Sequence, residues 1–80
     1  MTGMRVKLHI DDVAESILTG FVVTLRSART TAGLTQEEVA VGMPVRGRAI
    51  SEWECRTIEP TLENLIEWSG RLDYRFVILG

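Results

Sequence analysis

Arg46, Arg48, Ser51 and Glu52 share one face of residues 45–54 when that stretch is wound as a helix, and Val45, Ala49, Ile50 and Trp53 share the other. A guanidinium is a rigid fork of donors that matches an anion or a pair of acceptors, a hydroxyl can donate or accept, and a carboxylate only accepts. Such a face suits recognition rather than bond breaking. Upstream, Thr35 and Glu38 have capping-box spacing directly after the apolar Leu34, so a short helix starts there with its first amides open to a phosphate, and Gln36 adds a side-chain amide beside them. Elsewhere chemistry is sparse. One His and one Cys give no zinc-type ligand pattern, so no metal is expected. No Ser/His/Asp, Cys/His or paired-carboxylate set stands out from ordinary surface charge, so the sequence points away from an enzyme and implies no cofactor.

The elements that must position these groups belong to a single domain, because 80 residues bury only about 60% of their unfolded surface and cannot support two cores. Nine Lys and Arg against eleven Asp and Glu leave a charge of -2, which taken whole argues against a polyanion partner. The charge is unevenly spread, however. Residues 39–51 hold Arg46 and Arg48 and no acid, whereas Asp11, Asp12 and Glu15, then Glu59, Glu63 and Glu67, gather elsewhere. The lone Cys55 excludes an internal disulfide and fits a reducing compartment. No apolar run approaches the roughly 18 to 20 residues that span a bilayer. Arg5 and Lys7 are succeeded too soon by Asp11 and Asp12 for a signal peptide, which needs an uninterrupted apolar region there. The expected address is the cytoplasm, without a membrane.

Residues 4–10 alternate apolar and polar, the period of a half-buried strand. Asp12 and Glu15 have capping-box spacing, and Val13, Ile17, Phe21, Leu25, Ala28 and Ala32 then form an apolar stripe along a helix of about 20 residues, weakened at Gly20 and stopped by Gly33. The second helix, from Thr35, turns Val39 and Ala40 inward and ends near Gly42-Met43-Pro44. The third covers residues 45–54. Thr61 caps a fourth, with Leu62, Leu65, Ile66, Trp68 and Leu72 available for burial. Residues 74–79 are β-branched and aromatic and read as a buried strand. The expected fold is therefore mainly α, four to five helices with short terminal strands, 4–10 and 74–79, pairing in a small sheet. The apolar tail, Tyr74, Phe76, Val77, Ile78 and Leu79, would join two copies into a homodimer.

Short helices joined by tight turns, with a polar face on the third, are what a helix-turn-helix requires. The segments Leu25-Arg26-Ser27-Ala28-Arg29, Gly33-Leu34-Thr35-Gln36-Glu37-Glu38-Val39-Ala40, Ala49-Ile50-Ser51-Glu52-Trp53-Glu54 and Glu59-Pro60-Thr61-Leu62-Glu63-Asn64-Leu65 stand in register with one another. Together they resemble the Cro/phage-repressor, or Xre-type, lambda-repressor-like helix-turn-helix family over about residues 25–72. The resemblance implies a third helix in the major groove of double-stranded DNA, where arginine bonds guanine bidentately. It assigns base contacts to Arg48, Arg46, Ser51 and Glu52, with Glu52 also placed to pair with Arg48 one turn earlier. Gln36, Thr35, Gly47, Arg56 and Thr57 fall at positions that face the DNA backbone; Gly47 has no side chain and permits close approach. Arg29 and Glu54 match a structural ion pair between the first and third helices. Trp53 and Trp68 read as core and His9 as solvated.

The chain departs from the family pattern at three turn positions. Pro44 stands where a left-handed glycine is customary, and Gly42 can take over that conformation. Arg56 replaces the glycine after the third helix, and Arg46 replaces its hydroxyl cap. The expected function is a sequence-specific transcriptional regulator, a Cro-like or immunity-type repressor of bacterial or phage origin, binding an inverted-repeat operator as a dimer without a small-molecule ligand. The alternative is the antitoxin of a toxin-antitoxin pair, binding a toxin and its own promoter.

Overall fold

A computed structural model describes residues 10–75, with side chains from Val13 onward. The order is α1 (Ile10–Thr31), α2 (Gln36–Ala40), α3 (Gly47–Glu54) and α4 (Leu62–Arg71). Among the described residues there is no strand. The expected terminal sheet needs correction where it can be seen: Ile10 opens α1 instead of closing a strand, and Tyr74 and Arg75 have no regular structure. Residues 4–9 and 76–79, including the dimer residues Phe76, Val77, Ile78 and Leu79, lie outside the described residues.

The core consists of Val22 and Leu25 from α1, Val39 and Ala40 from α2, Ile50 and Trp53 from α3, and Leu65, Trp68 and Leu72 from α4 and its cap. Trp53 and Trp68 meet with ring centroids 5.3 Å apart and planes tilted by 42°, an arrangement that favours the aromatic quadrupoles. On α1 the buried stripe is not the expected one. Leu18, Val22, Leu25 and Ala28 face the bundle, whereas Val13 and Ile17 are 37% and 56% exposed and Phe21 is 39% exposed. Both stripes satisfy helical spacing. The choice follows from where α3 packs, since Arg29 must reach Glu54 and the side chains one and two turns before it are carried inward with it. On α4, similarly, Leu65 and Trp68 are buried while Leu62 and Ile66 remain exposed. Gly20 causes no break in α1.

Three helices end in the same way. After α1, Gly33 at φ 74° directs its N–H to Thr30 O (3.0 Å), and Leu34 N–H reaches Arg29 O (3.1 Å). This pair of bonds is a Schellman cap. Arg56 at φ 62° ends α3 with the same pattern, its N–H on Trp53 O and Thr57 N–H on Glu52 O. Asp73 at φ 65° ends α4, its N–H on Gly70 O and Tyr74 N–H on Ser69 O. Non-glycine residues thus occupy two of the three left-handed positions, where a Cβ costs about 1–2 kcal/mol. Between α2 and α3, Gly42 has φ 88°, so this glycine takes the conformation that Pro44 cannot.

Candidate nucleic-acid interface

The site is built from the short helices outward. Thr35 caps α2 through a reciprocal box: its Oγ1 accepts from Glu38 N–H at 3.0 Å, and Glu38 Oε1 accepts from Thr35 N–H at 2.7 Å. The other end of α2 is held by Arg71, whose Nε donates to Val39 O at 3.0 Å and Nη2 to Glu38 O at 3.3 Å. A guanidinium on the last carbonyls of a helix answers their negative end. The Thr61 hydroxyl caps α4 by accepting from Asn64 N–H at 3.1 Å.

The α2–α3 angle is set at two places. Gly47 is buried, and its N–H donates to Glu37 Oε1 at 2.9 Å. A side chain at Gly47 would begin 2.9 Å from both the N and the Cα of Glu37, so the two backbones approach more closely than any Cβ permits. Gly47 therefore permits close approach by α2 rather than by a ligand. At the far end of α3, Glu54 is buried and Gln36 Nε2 donates to its Oε1 at 3.0 Å. Arg29 completes the cluster. Its Nε donates to Glu54 Oε2 at 2.7 Å, Nη2 to Oε1 at 3.0 Å, and Nη1 to Leu34 O at 2.8 Å. Arg26 Nε lies 4.0 Å from the same carboxylate but is largely in solvent. The hydrogen bond to Glu54 raises the Arg29 pKa above its usual value, partly opposed by burial and aided by the charge of Glu54.

With its inner face occupied by Ile50, Trp53 and Glu54, α3 presents the rest to solvent. The Arg48 side chain is 88% exposed, and its Nε lies 3.4 Å from Glu52 Oε2 one turn on. Arg46 is exposed at the start of the helix, with no side-chain capping bond. Ser51 and Glu52 are half-buried, and Thr57 is exposed just beyond the helix. Arg46, Arg48 and Thr35 thus point outward from one pair of helices. Arg56 does not join them. Its Nη2 donates to Glu15 on α1, its Nη1 is buried without an acceptor among the described residues, and the side chain is only 20% exposed.

Sequence reasoning missed Glu37, Arg71 and Glu15, which act through contacts across the fold. A weak signal existed for Arg71, a basic residue in the last turn of an expected helix; Glu37 read as one more acid of the first turn of α2. Among the described residues no group of His, Cys, Asp or Glu could hold a metal ion, and no helix is long and apolar enough to cross a membrane.

A capped short helix, a tight glycine turn and a second helix with exposed arginines define a DNA-binding helix-turn-helix unit. The helix-turn-helix family profile matches residues 25–79, and the chain belongs to that family. Neither a comparison with curated proteins nor one with solved structures gave a match.

Proposed function

We propose that the protein is a sequence-specific transcriptional regulator that places α3 in the major groove of an inverted-repeat operator. The observation that carries this reading is the division of α3: Ile50, Trp53 and Glu54 are buried, while Arg48 on the opposite side is almost fully exposed. Arg48 is the principal base contact, with Arg46, Ser51 and Glu52 around it. Glu52 holds the Arg48 guanidinium from one turn away, which limits its freedom before binding. Thr35 and Gln36 face a phosphate at the start of α2. The Gln36 amide nitrogen has a second hydrogen to offer while the first is held by Glu54, so its orientation is set in advance. Thr57 adds a backbone contact beyond α3.

Two copies, joined through the apolar tail 74–79, would set half-sites about 34 Å apart. Few arginines are available to each copy, so useful affinity depends on the pair. Val13 and Ile17 on α1 are exposed, which favours a protein contact as well, either a second copy or, in the antitoxin reading, a toxin. The test is binding to the DNA upstream of the protein's own gene, measured across salt. A preference over mixed-sequence DNA that persists as salt rises, and that is lost in Arg48→Ala, supports the reading; equal binding to both DNAs at every salt concentration overturns it.

A further inference from the structure

The recognition helix begins without a cap of its own. Arg46 holds the N-cap position with no side-chain hydrogen bond, and the first free amide, Gly47 N–H, is taken by Glu37 Oε1 at 2.9 Å from the preceding helix. The N-terminus of a helix carries roughly half a positive charge and attracts anions. In this chain the anion is the protein's own. Glu37 is an exposed residue and lines, together with Arg46, Met43, Pro44 and Val45, the open groove at the α2–α3 turn. Its carboxylate therefore stands at the start of the helix that carries Arg48, on the Gly47 N–H next to Arg46 in the chain. The arrangement also determines position 47. Because the N and Cα of Glu37 lie 2.9 Å from where a Cβ would be, only glycine fits, and the first turn of α3 has no side chain there to read a base.

We infer that Glu37 is an affinity-setting residue: it caps the recognition helix and competes with DNA phosphate at that end. The inference rests on the DNA-binding reading and names how that same surface is tuned. Holding a fixed negative charge at the edge of the interface weakens every duplex alike, whatever its sequence. This keeps one copy from binding DNA indiscriminately and gives weight to Arg48 and to pairing of two copies.

Two substitutions separate charge from shape. Glu37→Gln keeps a carbonyl oxygen to accept from Gly47 N–H and removes the charge, while Gly47→Ala collides with the backbone of Glu37 whatever side chain stands there. Binding of the full chain to a mixed-sequence duplex is measured across salt, with the melting temperature of each variant. Glu37→Gln should melt close to the wild type and bind about threefold tighter at low salt, as expected for removal of one exposed repulsive charge, with the advantage fading as salt screens it. Gly47→Ala should melt lower, and adding Glu37→Ala to it should not restore the loss. If Glu37→Gln keeps its melting temperature but binds no tighter than the wild type, the inference is overturned. Gly47→Ala with wild-type stability overturns the account of position 47. If wild type and Glu37→Gln both fail to bind any duplex at any salt, the DNA-binding reading itself fails and takes the inference with it.

Discussion

Arg29 and Glu54 meet side-on across the α1–α3 contact, with two parallel hydrogen bonds of 2.7 and 3.0 Å between guanidinium and carboxylate. The remaining valences are also used: Arg29 Nη1 reaches Leu34 O in the turn after α1, and Gln36 donates to Glu54 from the first turn of α2. One pair of charges thereby ties together α1, its Schellman turn, α2 and the end of α3. Geometry of this quality, with neighbouring hydrogen bonds satisfied, is what a buried pair needs in order to offset desolvation.

Removing either partner leaves the other stranded. Arg29→Ala or Glu54→Ala should lower unfolding free energy by about 3–5 kcal/mol, a large fraction of what a domain of this size has. Arg29→Lys should recover little, since an ammonium cannot make the parallel bonds. Chemical denaturation of the variants measures this. The pH dependence follows from the raised Arg29 pKa. A pKa raised on folding contributes stability that is complete below the unfolded value and is lost as pH rises through the folded value. For this arginine the window is strongly alkaline, so its contribution should be constant through neutral pH.

Arg48→Ala should separate binding from folding. The side chain is 88% exposed and its pairing with Glu52 lies at the surface, where such pairs contribute about 0–1 kcal/mol. The melting temperature should stay within a few degrees of wild type, while discrimination among duplexes falls by about 1–3 kcal/mol if Arg48 makes a bidentate base contact. Equal loss on specific and mixed-sequence DNA would assign Arg48 to phosphate instead.

Asp73 holds φ 65° at the end of α4 and has no side-chain bond that a glycine would forfeit among those described. Asp73→Gly should therefore stabilise the domain by about 0.5–1 kcal/mol by removing the Cβ from a left-handed position, seen as a rise of several degrees in melting temperature. Arg56→Gly offers the same backbone relief but breaks the pairing with Glu15 on α1, so its gain should be smaller.

Trp68 is completely buried and stacks against Trp53. Trp68→Ala should cost about 3–5 kcal/mol. Trp68→Phe should cost less than the size change alone suggests, because the indole N–H of Trp68 is buried without an acceptor among the described residues, and phenylalanine removes that unsatisfied donor. Equilibrium unfolding measured by circular dichroism would rank the two.

Local chemistry wrote much of this protein into its sequence. The Thr35/Glu38 box, the glycine at position 33, the Thr61 cap and the spacing of Ile50 and Trp53 each depend on neighbours a turn away, so the existence and order of the helices, the polar face of α3 and the family could all be read from the chain alone. The features that the sequence left open depend on contacts between elements. Two apolar stripes on α1 satisfy the same period up to Leu25, and the one through Leu18 and Val22 is buried, not the expected one through Val13, Ile17 and Phe21, because Arg29 must face Glu54. Ile10 read as the end of a strand, and the structure makes it the first residue of α1. Glu37 was indistinguishable from a solvated acid until α2 and α3 were brought within reach of each other, and Arg56, a candidate for phosphate, has its side chain turned back to Glu15. Periodicity and caps specify which faces an element has; only packing decides which face is used and which charged groups are already engaged before DNA arrives.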